Sequence, residues 1–311
     1  MRDGTASRTA VTAALMRATH TRVDRPQLID DPWGDRLVSS AEKTALWQRI
    51  MEGAGPDARR RLDQLPSPRA VVDVALRTHA TYGGVIIRTR YAEDALARAI
   101  VGGVRQYVLI GSGFDSFIVR QPALARAIQI FEIDHPASQA MKRERLAACA
   151  AEIPANVHFV AADLSQESLA AALARSEFSR TTPAFFAWLG VTIYLSREAN
   201  LATLASLATA SARGSEIVFN YIEHRALEET RSATLNRIRE GAAALGEPWL
   251  SGFDPATLDY ELRGLGLDLI EDLGGAALRE RYCAQRTDGL TPGVFGHIAR
   301  ARVAPESNLT I

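Results

Sequence analysis

Short apolar runs alternate along this chain with longer segments whose apolar residues recur every three or four positions. Tyr107-Val108-Leu109-Ile110 is one such run, and it predicts a strand buried on both faces. Gly111-Ser112-Gly113 breaks it, and Phe114-Asp115 leads into a segment able to turn helical. A second run, residues 128–133, ends on Asp134. Runs at 157–161, 184–189 and 216–221 repeat the pattern. Between them, 137–152, 165–176 and 197–212 carry helical spacing, the last opened by Ser196 as a cap. Alternating β and α units predict an α/β fold with a doubly wound, mostly parallel sheet covered on both faces. Residues 267–273 and 294–303 read as closing strands without a clear helix between them, which predicts an antiparallel edge.

The flanks are helical. Residues 9–21 place Val11, Ala14, Leu15 and Ala18 on one face, and Pro26 stops the helix. That segment either packs on the core or closes over a crevice as a lid. Residues 57–65, with Arg59, Arg60 and Arg61, read as a solvated helix. Residues 71–85 read as buried and run on toward a helix that ends at Gly102-Gly103. Residues 222–250 interrupt the alternation with helical sequence, a second segment able to cover a substrate, and 255–265 form a further helix. The expected organisation is one domain over 1–311: a helical cap (1–103), a core (104–221), a helical insertion (222–265) and closing strands (266–311).

Composition narrows the partners. Lys plus Arg equals Asp plus Glu at 36 each, so no global field gathers nucleic acid or an anionic membrane. A chain that is 47% hydrophobic and 23% charged is ordinary for a globular protein with a sizeable core. Cys149 and Cys283 form neither a disulfide framework nor a metal site by spacing, and are expected as reduced thiols. No run approaches the roughly 18 apolar residues of a membrane span. The opening residues lack the apolar core of a secretory signal, so the cytoplasm is the expected address.

Strand, Gly-rich turn, helix, strand, acid is the opening half of a nucleotide-binding sheet. Ser116 stands where a dinucleotide fold would carry its third glycine, and no Gly-Lys-Ser/Thr follows to cradle phosphates. S-adenosylmethionine has no phosphates and needs a glycine turn for its amino-acid end and an acid for its ribose. Asp134 suits the ribose hydroxyls, and Asp163-Leu164, after the third strand, suits the adenine. This combination favours the methyl donor over NAD, with an NAD-dependent oxidoreductase as the alternative.

Arg88-Thr89-Arg90, Gly111-Ser112-Gly113-Phe114-Asp115-Ser116, Glu132-Ile133-Asp134-His135-Pro136, Asp163-Leu164 and the stretch from Trp188 to Leu195 resemble the leucine carboxyl methyltransferase family. The closer likeness is to its bacterial branch, which includes polyketide-type O-methyltransferases. Ser7-Arg8-Thr9-Ala10 and Leu28-Ile29-Asp30-Asp31-Pro32 extend it, so that it spans roughly residues 7–225. The resemblance implies a seven-stranded sheet of the class I methyltransferase type, with the N-terminal helices and the insertion as a lid. It implies that Arg88 pairs with the donor's methionine carboxylate, that Gly111, Ser112 and Gly113 line the donor pocket, that Asp134 holds the ribose, and that Asp163 and Leu164 bracket the adenine. It also implies S-adenosyl-L-methionine as the cofactor. The chain departs at Leu189, where many relatives carry an acid, which implies a more apolar pocket and leaves a non-catalytic donor-binding member as a further alternative.

The implied reaction is O-methylation of a small-molecule carboxylate or hydroxyl, of the kind found in secondary metabolism. A carboxylate acceptor needs no base, whereas a hydroxyl needs one, most often His. His158 and His297 fall within strand patterns and read as structural, and His135 as a turn residue. His224, Tyr194 and Tyr221, at the exits of the fourth and fifth strands, are the candidates to line an acceptor pocket. No residue is assigned as the catalytic base.

Overall fold

The computed structural model describes residues 8–228, 236, 239–241, 243 and 248–305. Seven strands form one sheet: β1 (Gln106–Ile110), β2 (Gln129–Asp134), β3 (Val157–Ala161), β4 (Ala184–Trp188), β5 (Glu216–Ile222), β6 (Leu267–Leu273) and β7 (Gly296–Val303). Their order is β3-β2-β1-β4-β5-β7-β6. The first five pair in parallel, while β7 runs antiparallel to both β5 and β6. Because side chains alternate across a strand, each central run feeds two cores. Val108, Ile110, Phe186, Trp188 and Phe219 pack on one face with Leu204, Leu207, Leu258 and Leu262. Tyr107, Leu109, Phe185, Ala187 and Val218 pack on the other, with Ile87, Tyr91, Ala95 and Leu96.

Among the described residues, six helices precede the sheet: α1 (Arg8–Val23), α2 (Trp33–Arg36), α3 (Ser40–Gly53), α4 (Pro56–Leu62), α5 (Pro68–Arg77) and α6 (Tyr82–Val101). The single apolar segment expected at 71–85 is divided between α5 and α6, because residues 78–81 form a turn in which Tyr82 N–H donates to His79 O. Val11, Leu15, Val72, Leu76, Val85 and Ile86 make a small core of their own, and Phe114 of the β1 loop joins it. α1 is therefore anchored to the sheet. Arg17 fixes the anchor by donating from Nε to Asp31 (2.7 Å) and from Nη2 to the Phe114 carbonyl (2.6 Å), with both charged partners buried.

Two expectations need correction. A helix, Gly275–Cys283, does lie between β6 and β7. Its sequence buries only Leu278 and Cys283, too little to mark a helical stripe. The helix expected at 165–176 spans only Leu169–Ala174, because Asp163 draws the preceding residues into a turn. Of the helical insertion expected from 222 onward, Arg225–Glu228 is a short helix, and much of the remainder lies outside the described residues. Cys149 and Cys283 are free thiols. No helix among the described residues is long and apolar enough to cross a membrane.

Candidate active site

The carboxyl ends of the parallel strands set out the expected residues in one row. At the edge, Ala161 pairs with Asp134, and Ala162 N–H donates to Asp134 O, so Asp163 follows beside the end of β2. Gly111 N–H donates to Ile133 O (2.8 Å), which brings the glycine turn against that same end. Asp134 then accepts on both oxygens, from Gly113 N–H (2.5 Å) and His135 N–H (2.7 Å). Burial pushes its carboxyl above the ordinary value, and these two backbone bonds oppose that push. Each oxygen keeps acceptor capacity beyond its one backbone bond.

Gly111 and Gly113 have positive φ (68° and 46°), a conformation that lets the turn fold back on β2. A Cβ on Gly111 would lie 2.6 Å from Val191 Cγ2, in the loop after β4. Gly111→Ala therefore meets both backbone strain and a clash, and is expected to cost about 1–3 kcal/mol of stability. Urea denaturation checks this; an unchanged midpoint contradicts it. Gly190, next to Val191, also has positive φ (74°), and a Cβ there would lie 2.5 Å from Arg88 Nη2. The pair Gly190-Val191 thus connects Arg88 to the β1 turn. Ser112 Oγ in that turn is buried with no hydrogen-bond partner among the described residues.

Arg88 projects from α6 into the wall of a cavity of about 1050 Å³. No carboxylate among the described residues pairs with it; the titratable groups beside it are the Tyr194 phenol and the Arg17 guanidinium. Burial lowers its guanidinium to about 10, the Tyr194 phenol opposes that shift and Arg17 adds to it. The group stays charged at neutral pH. An unpaired, half-buried cation facing a cavity is a binding group for an anion.

Of the expected residues, Arg88, Tyr194 and Tyr221 line this cavity, together with Gly190 and Asn220. Gly111, Ser112, Gly113, Asp134, Asp163 and Leu164 lie outside its walls, along the adjoining strand ends. Asp163 Oδ1 accepts from the Ser165 N–H (3.0 Å) and hydroxyl (2.6 Å), so half of the carboxylate closes a turn. Leu164 packs partly buried against the core. Asp115 Oδ1 accepts from Phe117 N–H (2.8 Å), the work of a cap. Asn220 Oδ1 accepts from Gly190 N–H (2.6 Å), and Leu189 packs against the core beneath α6.

His224 is placed differently from expectation. The chain leaves β5 through a bridge between Glu223 and Phe253, and His224 is exposed and does not line the cavity. His297 corrects the sequence reading in the other direction: it sits in β7 as expected, yet its ring lines the cavity. The signal for this lay in strand pairing, since β7 sets His297 opposite Tyr221. Among the described residues no group of three His, Cys, Asp or Glu could hold a metal ion.

Five parallel strands with the order reversing between β1 and β4, closed by an antiparallel β7–β6 edge, make this a class I methyltransferase fold, the class that draws on S-adenosyl-L-methionine. The family profile described as leucine carboxyl methyltransferase matches residues 10–208. YktD of Bacillus subtilis, named for S-adenosyl-L-methionine-dependent methyl transfer, is 30% identical over 297 residues, covering 94% of this chain and 96% of its own. The chain belongs to the leucine carboxyl methyltransferase family and is an S-adenosyl-L-methionine-dependent methyltransferase. Among solved structures, a DUF574 family protein from Streptomyces avermitilis shares the fold at TM-score 0.56 and 16% identity, over 84% of this chain and 96% of its own. A protein from Thermobifida fusca described as a methyltransferase does so at TM-score 0.55 and 17% identity, over 84% and 94%.

Proposed function

We propose that this enzyme methylates an oxygen, hydroxyl or carboxylate, of a small and largely apolar acceptor, of the polyketide-like or other secondary-metabolite kind. The observation that carries the donor side is Arg88, a charged guanidinium without a carboxylate partner among the described residues, facing the cavity beside Gly190. Its planar fork matches the donor's methionine carboxylate. The glycine turn from Gly111 to Gly113 gives the donor backbone to lie against. Asp134 offers the ribose hydroxyls the acceptor capacity left on both oxygens. Asp163 keeps one oxygen outside its turn, and Leu164 adds an apolar face for the adenine. When bound, S-adenosylmethionine supplies a methyl group already activated on a sulfonium. The protein's task is then to orient and desolvate the partners.

The apolar character of the acceptor follows from the walls. Met16, Val85, Ile193, Leu290 and Phe295 line the cavity. Calorimetric titration with S-adenosylmethionine, and separately with NAD, tests the donor side. Donor heat with no NAD heat is expected. Asp134→Ala should weaken donor binding by about 1.5–3 kcal/mol, the range for hydrogen bonds to a charged group. Unchanged affinity in that variant would remove Asp134 from the site.

A further inference from the structure

A second recess, of about 550 Å³, lies apart from the cavity that Arg88 faces. Its charged walls are Arg90, Asp94 and Arg98 of α6, Glu271 of β6, Arg281 of the helix Gly275–Cys283 and Arg300 of β7. The two cavities share no lining residue. The geometry of α6 explains the separation. Arg88 and Arg90 are two positions apart, so they leave the helix on nearly opposite sides. Arg90, Asp94 and Arg98 follow at intervals of four and form one stripe on the side away from Arg88.

Four arginines face two carboxylates in these walls, an excess of two positive charges. Both carboxylates are already engaged. Glu271 accepts from Arg281 on both oxygens, and from the Tyr91 hydroxyl on one of them. Asp94 accepts from Arg90 Nε (2.8 Å) and the Tyr282 hydroxyl (3.2 Å). Arg98 is exposed, with no hydrogen-bond or ion-pair partner among the described residues. Arg300 is only partly compensated. Its Nη1 lies 3.5 Å from Glu216, which also pairs with Arg302 at 2.7 Å, and its Nε is buried with no hydrogen-bond partner among the described residues. Cations gathered in a recess repel one another, and a bound anion relieves that repulsion. A carboxylate would bring one negative charge. A phosphomonoester brings about 1.5–2 at neutral pH, on oxygens that match guanidinium forks. The recess is within the size range of small-molecule pockets and larger than a bare phosphate needs. We propose that it binds a small organic phosphomonoester, with the anionic head among Arg98, Arg281 and Arg300. Leu28 and the Tyr282 ring, which complete the lining, take the organic part.

The test is calorimetric titration of the full chain with phenyl phosphate, benzoate and inorganic phosphate, at one low ionic strength because salt screens such contacts. Phenyl phosphate is expected to bind at least tenfold more tightly than either of the others. Benzoate keeps the ring with a single charge, and inorganic phosphate keeps the head without the ring. Arg98→Gln removes a charge from an exposed, unpaired position. It should leave the thermal melt unchanged while weakening phenyl phosphate binding about tenfold. Arg98→Glu reverses the charge and should abolish binding. Arg88→Met takes the unpaired cation out of the other cavity and should leave phenyl phosphate affinity as in wild type; a loss there would place the anion in that cavity instead. That outcome, no heat with phenyl phosphate, either comparison compound binding as tightly as phenyl phosphate, or wild-type affinity in Arg98→Glu would each overturn the proposal.

Discussion

An Arg88→Met variant is expected to bind S-adenosylmethionine roughly a hundredfold more weakly than wild type, a loss of about 3 kcal/mol. Methionine fills similar space along α6, so the loss isolates the guanidinium fork and not its stem. The variant is also expected to be at least as stable as wild type without ligand. In wild type a half-buried cation has no carboxylate partner among the described residues, and removing it relieves a desolvation cost. Opposite signs for apo stability and donor affinity are the mark of a ligand-binding charge. Arg88→Lys should fall between the two, because an ammonium keeps the charge without the two-pronged geometry. Thermal melts with and without donor, together with calorimetry, check all three. Wild-type affinity in Arg88→Met would remove the residue from the donor site.

Lys142→Met is expected to lower stability by about 3–5 kcal/mol, the cost of leaving a buried charge without its partner. Glu132 points inward from β2, and Lys142 reaches it from the helix Pro136–Ala148 at 2.6 Å, with both side chains almost wholly buried. Glu132 Oε1 has no hydrogen-bond partner among the described residues, so Lys142 is the main compensation. Burial already pushes the Glu132 carboxyl above the ordinary range, and Lys142 opposes that push. An acid raised in the folded state favours folding below its unfolded value and loses that contribution as pH rises through the folded one. Without Lys142 the rise grows, so the variant's deficit should be smaller at pH 5 than at pH 8. Adding Glu132→Gln to Lys142→Met removes the charge altogether and should recover most of the loss. Urea titrations at the two pH values decide; a deficit independent of pH would mean that packing, not charge, is lost.

The parallel half of the sheet was legible because burial on both faces writes strands as unbroken apolar runs. Tyr107 to Ile110 and Ala184 to Trp188 are fully buried along their length, and the turns that follow them carry glycines. The row Asp163, Asp134, Gly111 could be read because each lies at or just past the end of a strand that the sequence marks, although β3 is only half-buried along most of its length. The antiparallel edge was harder. β6 is partly exposed along its middle and its pairing with β7 shifts between Leu269 and Glu271, so no regular alternation announces which side chains face the cavity. His297 shows the cost. Nothing near it in the chain marks it as a cavity residue, because its neighbours come from elsewhere in the sequence: Tyr221 on β5, Asp272 on β6 and Glu223 just beyond β5. His224 shows the converse, a histidine at a promising position that the Glu223–Phe253 bridge leaves turned outward. Arg88 could be read only through resemblance; the structure adds the physical reason for its presence, a charge facing open space.

The Arg17–Asp31 clamp also bears on how molecules come and go. Raising α1 off the glycine turn would separate a buried ion pair and strip the Phe114 carbonyl of its donor, at a cost of several kcal/mol. An opening of that cost keeps the raised form a small minority of the population. The first helix is therefore expected to act as a fixed ceiling, with spent and fresh donor exchanging through another opening. A cross-link tying α1 to the β1 loop should accordingly leave exchange rates untouched.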